Sequence, residues 1–471
     1  MAILARKGEK WRVVVDGQTG PDFDEIQEGR LVFSKNGEHF AYTARKGQKW
    51  LAVVDGRAGP EYGGVWDLTF PDVVTAEGKR VAYLVRNGPK DFVVVDGMAG
   101  PEYERVHGFD FSPDGKHVGY SAQKGQKWCA VVDGHAGPEY DEAERPVFSA
   151  DGKHVAYCAR KGQKSFVVVD GQAGPEYDGA QGAALSADGK RVAYSAKQGQ
   201  KWFVVLDGQA GPEYDWTSQL FFSPDGKHIR YEAKKGQKRL FVQDGKAGPE
   251  YDLSSYLFFS SDRKRVAYSA QMGRKWSVVV DGQAGPEYDQ TESPAFSADG
   301  KHVGYIARKE QKWFAVVDGR AGPEYDWTSS PVFSLDGKRV AYATREGQTC
   351  SVVVDGKAGP PWDMVENDSL VFSPDGKHVA YLARKGPRWL MVVDGQAAPQ
   401  WDRIAEDRPV FSPDGKHMAY SAWKGKKCRV VLDGVMVGPE YDAIGSLVFT
   451  PGGALEHLAT KDSALWRVKQ S

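Results

Sequence analysis

The sequence predicts an all-β fold made of twelve short, four-stranded antiparallel sheets. A motif of the VVDG type recurs twelve times along the 471 residues, with one or two letters changed in some copies, and a second motif of the FSPDG type recurs in step with it. From each FSPDG phenylalanine, or from the Val74 or Leu185 that replaces it, the next VVDG aspartate follows at a constant distance, as from Phe33 to Asp55. A fixed period of this kind indicates a repeat architecture. All of the length variation therefore falls in one connection, the one that follows VVDG.

The strands of one repeat can be assigned in order. In residues 146–171, PVFSADGKHVAYCARKGQKSFVVVDG, three runs rich in Val, Phe, Tyr and Ala are separated by A-D-G and R-K-G. Asp-Gly and Lys-Gly are typical of tight hairpins, because Gly adopts positive φ without steric cost and Asp tolerates it. A fourth, shorter strand is expected at PEYD. Each repeat is then a meander of about 37 to 41 residues.

Meanders of this size form the blades of β-propellers. The sequences FSPDGKHVGY at 111–120 and FSPDGKHVAY at 372–381 resemble the repeat of the TolB-type, WD40-like (PD40) β-propeller family. The resemblance extends over essentially the whole chain, and the GPEYD segment departs from the family pattern. It implies a propeller fold and, since that family consists mostly of protein-binding and accessory domains, a scaffold with no particular chemistry.

Twelve repeats allow one closed ring of twelve blades or two six-bladed propellers. The single ring is favoured because the VVDG aspartates are evenly spaced from Asp96 to Asp355, with no linker between the halves. Residues 1–453 would then form the propeller, and the N-terminal strands would complete a blade with the strand near 447–451. Residues 454–471 would remain as a C-terminal tail. They are either degenerate strands or a short helix, and apolar residues near one helical face favour the helix.

Composition excludes several classes of protein. A net charge of −1 gives no overall attraction to nucleic acid or to anionic membrane. No window approaches the 18 or so apolar residues of a membrane span, and the first residues do not form a signal peptide. We therefore expect a soluble monomer that binds no nucleic acid and no membrane. Its compartment is unknown: cytoplasmic by default, and secreted or periplasmic if a leader has been removed.

Catalytic and metal-binding motifs are not found. There is no GxSxG nucleophile motif, and Asp and Glu recur equivalently in nearly every repeat, whereas a catalytic pair needs two different environments. The residue after DGK is His in seven copies and Arg in four, and Arg is not a metal ligand. The four cysteines stand far apart without a CxxC pair and are interpreted as small buried residues. The sequence thus predicts no enzyme, no cofactor and no metal.

The stretch VVVDGQAGPEYD at 278–289 places three carboxylates close together. Their spacing does not match an EF-hand loop. A turn accounts for these residues better than a calcium-binding loop does. Asp-Gly forms the hairpin, Gly-Pro redirects the chain and Tyr288 is an aromatic anchor. We expect that aromatic residue to pack between adjacent blades.

The variable connection is the predicted site of function, because loops carry function on a rigid framework. Its five long copies are the first two and the last three in the chain, which would be neighbours on a closed ring. We expect them to form a recognition patch with exposed tryptophans as anchors and acidic residues as a polar rim. The anchors are Trp66, Trp362 and Trp401, and the rim consists of Asp67, Glu366, Asp368, Glu406 and Asp407. The alternative is that terminal repeats diverge as capping repeats do.

Three functions remain open at this stage. The first is a non-catalytic scaffold that binds a protein or peptide. The second is a propeller that binds a small ligand or carbohydrate in its channel or between blades. The third is an amplified or designed repeat protein with no specialised ligand.

Overall fold

The structure is a computed structural model that describes residues 2–15, 18–27, 31–71, 80–218, 220–255, 257–292, 294–404, 409–461 and 464–470. These residues form strands and turns, with a single helical element, the 3-10 turn Asn367–Ser369. In the ranges just given, no helix has the length and apolar character that crossing a membrane requires. The chain divides into two compact units, Met1–Pro249 and Glu250–Ser471, and each is described by itself.

The strands of the first unit make seven antiparallel sheets, numbered here as blades 1 to 7. The last strand of blade 7 runs past the unit boundary. Their strands are Ala2–Lys7, Lys10–Val15 and Gln18–Thr19 (blade 1); Glu25–Ile26, Val32–Phe33, Phe40–Lys46, Lys49–Val54 and Arg57–Ala58 (blade 2); Gly64–Thr69, Ala82–Asn87, Lys90–Val95 and Met98–Ala99 (blade 3); Arg105–Phe111, Val118–Lys124, Lys127–Val132 and His135–Ala136 (blade 4); Glu142–Ala143, Val147–Phe148, Val155–Lys161, Lys164–Val169 and Gln172–Ala173 (blade 5); Gly179–Leu185, Val192–Gln198, Lys201–Leu206 and Gln209–Ala210 (blade 6); and Trp216–Thr217, Phe221–Phe222, Ile229–Lys235, Lys238–Gln243 and Lys246–Tyr251 (blade 7).

The second unit contains six more sheets of the same kind, blades 8 to 13. Their strands are Leu253–Ser254, Phe258–Phe259, Val266–Met272, Lys275–Val280 and Gln283–Ala284 (blade 8); Gln290–Thr291, Ala295–Phe296, Val303–Lys309, Lys312–Val317 and Arg320–Ala321 (blade 9); Trp327–Thr328, Val332–Phe333, Val340–Glu346, Thr349–Val354 and Lys357–Ala358 (blade 10); Met364–Val365, Val371–Phe372, Val379–Lys385, Arg388–Val393 and Gln396–Ala397 (blade 11); Arg403–Ile404, Val410–Phe411, Met418–Lys424, Lys427–Leu432 and Val435–Tyr441 (blade 12); and Ala443–Ile444, Val448–Phe449, Leu455–Lys461 and Ala464–Gln470 (blade 13).

The predicted hairpins are confirmed, as blade 5 illustrates. Lys161 pairs with Lys164 across a two-residue turn in which Gly162 has φ 65°. The next hairpin places Asp170 at φ 49° and Gly171 at φ 80°. Two successive residues with positive φ match the right-handed twist of a hairpin, which is why Asp-Gly recurs there.

The fourth strand begins before the predicted PEYD: in blade 4 it is His135–Ala136, directly after the Asp-Gly turn, and PEYD adds one β-bridge at its tyrosine. In blade 4, the backbone N of Trp128 donates to the carbonyl of Tyr140 at 2.8 Å, and the N of Tyr140 donates back to the carbonyl of Trp128 at 2.8 Å. The equivalent bridge in blade 8 joins Trp276 and Tyr288. GPEYD therefore returns the chain along the third strand before it enters the next blade.

The core consists of clusters between neighbouring blades. Tyr288 of blade 8 is buried against Val303, Tyr305 and Phe314 of blade 9. The rings of Tyr288 and Tyr305 meet edge to face, with centroids 6.5 Å apart, a favoured aromatic geometry. The prediction that this aromatic residue packs between adjacent blades is confirmed.

The prediction of twelve blades is wrong, because the described residues form thirteen sheets. Val448–Phe449 pairs with Leu455–Lys461, which pairs in turn with Ala464–Gln470. The C-terminal residues thus make a sheet among themselves. The three N-terminal strands, ending at Thr19, likewise pair with one another.

The thirteenth sheet escapes the repeat pattern because its turns have lost the motif. Thr450–Gly453 replaces the SPDG turn by TPGG and lacks the following lysine. The side chains of Leu455 and Ala459 are nevertheless buried, in a cluster with Tyr441 of blade 12. Residues 455–461 are therefore strand, where the apolar pattern had favoured a helix.

Candidate binding site

The recurring VVDG aspartate closes its own blade. Asp281 has φ 52°, and its Oδ1 accepts a hydrogen bond from the backbone N of Val266 at 2.9 Å. Its Oδ2 accepts from Nε of Arg265 at 2.8 Å. Where the residue after DGK is histidine, the ring takes the place of the guanidinium, as between Nδ1 of His302 and Oδ2 of Asp318 at 2.7 Å. This carboxylate is occupied by its own blade.

The arginines at this position also reach the next blade. Nη1 of Arg265 donates to the carbonyl of Lys301 at 2.6 Å, and its guanidinium lies 5.5 Å from the ring centroid of Phe296. This is a cation–π contact across a blade interface. The alternation of His and Arg after DGK therefore reflects a structural contact.

The aspartate of GPEYD links two hairpins. Oδ1 of Asp289 accepts from Nζ of Lys275 in blade 8 at 2.6 Å, and Oδ2 accepts from the backbone N of Glu310 in blade 9 at 2.6 Å. The hydrogen bond from Lys275 is the main reason why the pKa of Asp289 is lowered. Within the residues that the structure describes, no group of three His, Cys, Asp or Glu is placed to hold a metal ion.

Two anchors of the predicted patch are buried. Trp362 is 8% exposed and Trp401 is 5% exposed, because they occupy the inter-blade position that is tyrosine in other repeats. Nε1 of Trp362 donates to the hydroxyl of Tyr381 at 3.3 Å. The expectation that these tryptophans are exposed is wrong.

The acidic residues of the predicted patch in the second unit have varied settings. Glu366 is half-buried and directly precedes the 3-10 turn, and its backbone N donates to the carbonyl of Leu382 at 3.0 Å. Asp368 lies exposed in that turn. Glu406 and Asp407 lie outside the described residues.

Trp66 is the predicted anchor that the structure leaves partly open, at 37% exposure. Its ring lies over Gly64, where a Cβ would collide with it, and the guanidinium of Arg86 lies 5.7 Å from the ring centroid. Its neighbour Asp67 has φ 50°. Trp66 and Asp67 belong to the first unit and the other patch residues to the second, so neither unit brings the whole patch together.

A different feature distinguishes the first unit. One position of the third strand is tryptophan in most repeats, and the exceptions in the first unit include Asp91 and Ser165. The tryptophan normally covers its own blade: in blade 6, Nζ of Lys197 lies 5.8 Å from the ring centroid of Trp202, and a Cβ on Gly179 would lie 3.6 Å from that ring. Blades 3 and 5 lack this cover, as do blades 7, 10 and 12, where the residue is Arg239, Cys350 and Cys428. The missing tryptophan is visible in the sequence and could have indicated this site.

The loss of the tryptophan at Ser165 leaves a cavity of about 460 Å³, which we call the Ser165 pocket. Residues of three consecutive blades line it. They include His107, Ser121 and Trp128 of blade 4, Glu142, Glu144, Arg145, Cys158, Arg160 and Ser165 of blade 5, and Ala180 of blade 6.

Most charges on the wall of the Ser165 pocket are paired. Nη2 of Arg160 contacts Oε1 of Glu142 at 2.5 Å, and Nη1 of Arg145 contacts Oδ2 of Asp110 at 2.8 Å. The remaining charged residue of the lining, Glu144, is reached by water but crowded by protein atoms, and this desolvation raises the pKa of its carboxyl. Among the described residues, no ion pair involves Glu144.

The floor and one wall of the Ser165 pocket have distinct chemistry. Cys158 is buried at the floor, and desolvation raises the pKa of its thiol well above the ordinary value. The wall is aromatic, because the imidazole of His107 lies against the indole of Trp128 with centroids 4.4 Å apart.

A second cavity of about 510 Å³ lies beside the first, and we call it the Asp91 pocket. Asp91 is 2% exposed. Its Oδ1 accepts from Nε of Arg86 at 2.6 Å and its Oδ2 from Nη2 at 2.8 Å, and this pairing raises the pKa of Arg86. His107 lines both pockets. Arg86, which also contacts Trp66, joins the Asp91 pocket to the exposed tryptophan.

The sheets and the two motifs together define a β-propeller repeat protein. No protein-family model and no curated protein matches the chain. Among solved structures, it is similar to a eukaryotic initiation factor with 13% identity, covering 77% of this chain and 97% of that one, at a TM-score of 0.32.

Two further structures show similar figures. The β-propeller domain of the trilobed protease from Pyrococcus furiosus is 15% identical over 55% of this chain and 94% of that one, at a TM-score of 0.26. The GH74 enzyme of Niastella koreensis is 11% identical over 100% of this chain and 90% of that one, at a TM-score of 0.26. At these identities and TM-scores, none of the three bears on what this chain binds or does.

Proposed function

We propose that this chain is a non-catalytic β-propeller scaffold that binds a protein or peptide through the Ser165 and Asp91 pockets. The observation that carries the proposal is the loss of the covering tryptophan at two positions, Asp91 and Ser165, on either side of blade 4. The recurring aspartates are occupied by structural contacts, within one blade at Asp281 and between two blades at Asp289. A break in the repeat is therefore where side chains are available to a ligand.

The arrangement of the pockets favours an extended partner. Two cavities of 460 to 510 Å³ that share His107 as a common wall suit neighbouring side chains of one polypeptide. Trp66 adds a partly exposed aromatic residue at the edge, the type of residue that dominates binding energy in many interfaces. A small ligand would occupy one pocket and leave the other without a contact.

The proposal agrees with the features of the whole sequence. A scaffold is what the resemblance to the TolB-type repeat implies, and a net charge of −1 favours neither nucleic acid nor membrane as partner. We propose that the chain acts as a monomer. Of the patch expected from the sequence, Trp66 and Asp67 adjoin this surface, whereas Glu366 and Asp368 belong to the second unit.

The test restores the missing tryptophan. Peptides are selected from a random display library on the full chain, and their affinity is measured by calorimetry for the wild type and for Ser165→Trp. The variant is compatible with the fold because most blades carry tryptophan there, and it fills the pocket. We expect it to weaken binding at least about tenfold.

The matched control is Cys350→Trp, which makes the same restoration in blade 10. It should leave the affinity unchanged. Peptides that bind Ser165→Trp as well as the wild type would overturn the proposal. If no peptide is selected, and a glycan or small-molecule library instead gives ligands that Ser165→Trp rejects, the small-ligand function replaces it.

A further inference from the structure

The Ser165 pocket presents one carboxylate that the protein does not neutralise. Glu142 is paired with Arg160 and Arg145 with Asp110, so Glu144 is the charged residue of the lining that has no ion pair within the described residues. Across the described part of the chain, Glu144 contacts the thiol of Cys158 and the backbone N of Gly182, and neither is a cation. A positive group is the partner that this carboxylate lacks.

The aromatic part of the pocket wall also favours a cation. The indole of Trp128 carries the imidazole of His107 at 4.4 Å, which leaves an aromatic surface along one side of the pocket. Aromatic faces attract ammonium and guanidinium groups, and tryptophan does so best. In other blades the protein itself supplies the cation that contacts this tryptophan. In blade 9, for example, the guanidinium of Arg308 lies 5.5 Å from the ring centroid of Trp313.

The remaining lining suits an aliphatic stem. Ala143, Ala159 and Ala180 line the cavity together with the buried Cys158. Lysine and arginine side chains bury their methylene groups along such apolar surface and keep the charged end at a polar site. The cavity volume of about 460 Å³ accommodates one side chain of that length.

From this geometry we infer that the Ser165 pocket binds the cationic side chain of a lysine or arginine in the partner peptide. The stem lies between the alanines and Trp128, and the charged group meets Glu144. The inference rests on the proposed function and specifies its ligand chemistry.

The experiment uses three probes on the full chain: acetyl-Ala-Lys-Ala-amide, its arginine counterpart, and its norleucine counterpart, which keeps the stem without the charge. Binding is followed by the NMR shift of the Trp128 indole N–H. We expect the lysine and arginine peptides to bind at least about tenfold more tightly than the norleucine peptide. Glu144→Gln should abolish this preference, and Glu144→Asp should retain it.

The matched control is Glu292→Gln. Glu292 occupies the equivalent position of blade 9, where its backbone N donates to Ile306 as that of Glu144 does to Cys158, and where Trp313 is present. This variant should keep the preference. Thermal unfolding of each variant checks that the fold is intact.

Two results would overturn the inference: equal affinity for the norleucine and lysine peptides in the wild type, or an unchanged preference in Glu144→Gln. Both are separable from failure of the proposed function. If library peptides still lose affinity in Ser165→Trp, a peptide binds the pocket and its side chain is not the cation inferred here. If free butylamine matches the lysine peptide, a free amine is the ligand.

Discussion

Asp281 and Asp289 stand eight residues apart in a recurring stretch, and their carboxylates have different roles. Asp281 holds a left-handed backbone conformation and binds within its own blade, whereas Asp289 joins the hairpins of two blades. Residue type alone does not distinguish them. Both oxygens of each carboxylate accept a hydrogen bond from the protein, so their recurrence is explained by the fold.

His457 is a substitution within the repeat that lowers the stability of its blade. It takes the place of the tyrosine of other second strands and packs edge to face on Tyr441, with centroids 5.8 Å apart. It is fully buried, and within the described residues neither ring nitrogen has a hydrogen-bond partner. Burial lowers the pKa of His457 below its ordinary value of 6.5.

This predicts an acid-sensitive C-terminal blade. As the pH falls through 6.5, His457 takes up a proton in the unfolded chain, whereas in the folded chain it does so only at a lower pH. Between these two pKa values protonation favours the unfolded chain, so the free energy of unfolding decreases as the pH falls. His457→Tyr should raise the free energy of unfolding of blade 13 by about 1–2 kcal/mol at pH 5 and flatten its pH dependence. Hydrogen exchange of residues 455–461 between pH 5 and 8 measures both.

The control for this prediction is His457→Phe, which removes the titrating ring without adding a hydroxyl. It should flatten the pH dependence equally. An unchanged slope below pH 6.5 in both variants would refute the assignment to His457.

At the scale of the element, the tyrosines between blades carry the packing. Tyr305 is buried, and its hydroxyl has no hydrogen-bond partner among the described residues. Tyr305→Phe should therefore leave the stability unchanged or raise it by up to about 1 kcal/mol. Tyr305→Ala should lower it by about 3–5 kcal/mol, because it leaves a cavity against Tyr288 and Phe314.

Urea unfolding of the two variants checks this pair. A phenylalanine variant that is as unstable as the alanine variant would mean that the hydroxyl, and not the ring, holds the blades together.

The strands and hairpins could be predicted because each is specified locally, by Asp-Gly, Lys-Gly and alternating apolar residues. The thirteenth sheet could not, because TPGG lacks the motif and its strand is fixed by packing of Leu455 and Ala459 against blade 12. The burial of Trp362 follows from its position, where the aromatic residue of each repeat is buried or half-buried. The Ser165 pocket needed the structure, since a missing side chain opens a cavity only if no neighbour fills it.

At the scale of the molecule, near-identical repeats give near-identical contacts. Neighbouring blades within a unit are joined by recurring contacts of the GPEYD aspartate, the inter-blade aromatic residue and the arginine after DGK, as at Asp289, Tyr288 and Arg265. The stability of such a chain is therefore largely a sum of nearest-neighbour terms. None of these recurring groups singles out one place as a site. The pockets at Ser165 and Asp91 do, because there two losses of the tryptophan flank one blade and each lines a cavity.

The most direct test of this account is the stoichiometry of binding. Native mass spectrometry of the full chain with a library-selected peptide should give one peptide per chain, since the paired pockets occur in one place among the described residues. Several equivalent peptides per chain, bound with similar affinity, would contradict the account. They would indicate that the recurring motif, and not the two pockets, binds the peptide.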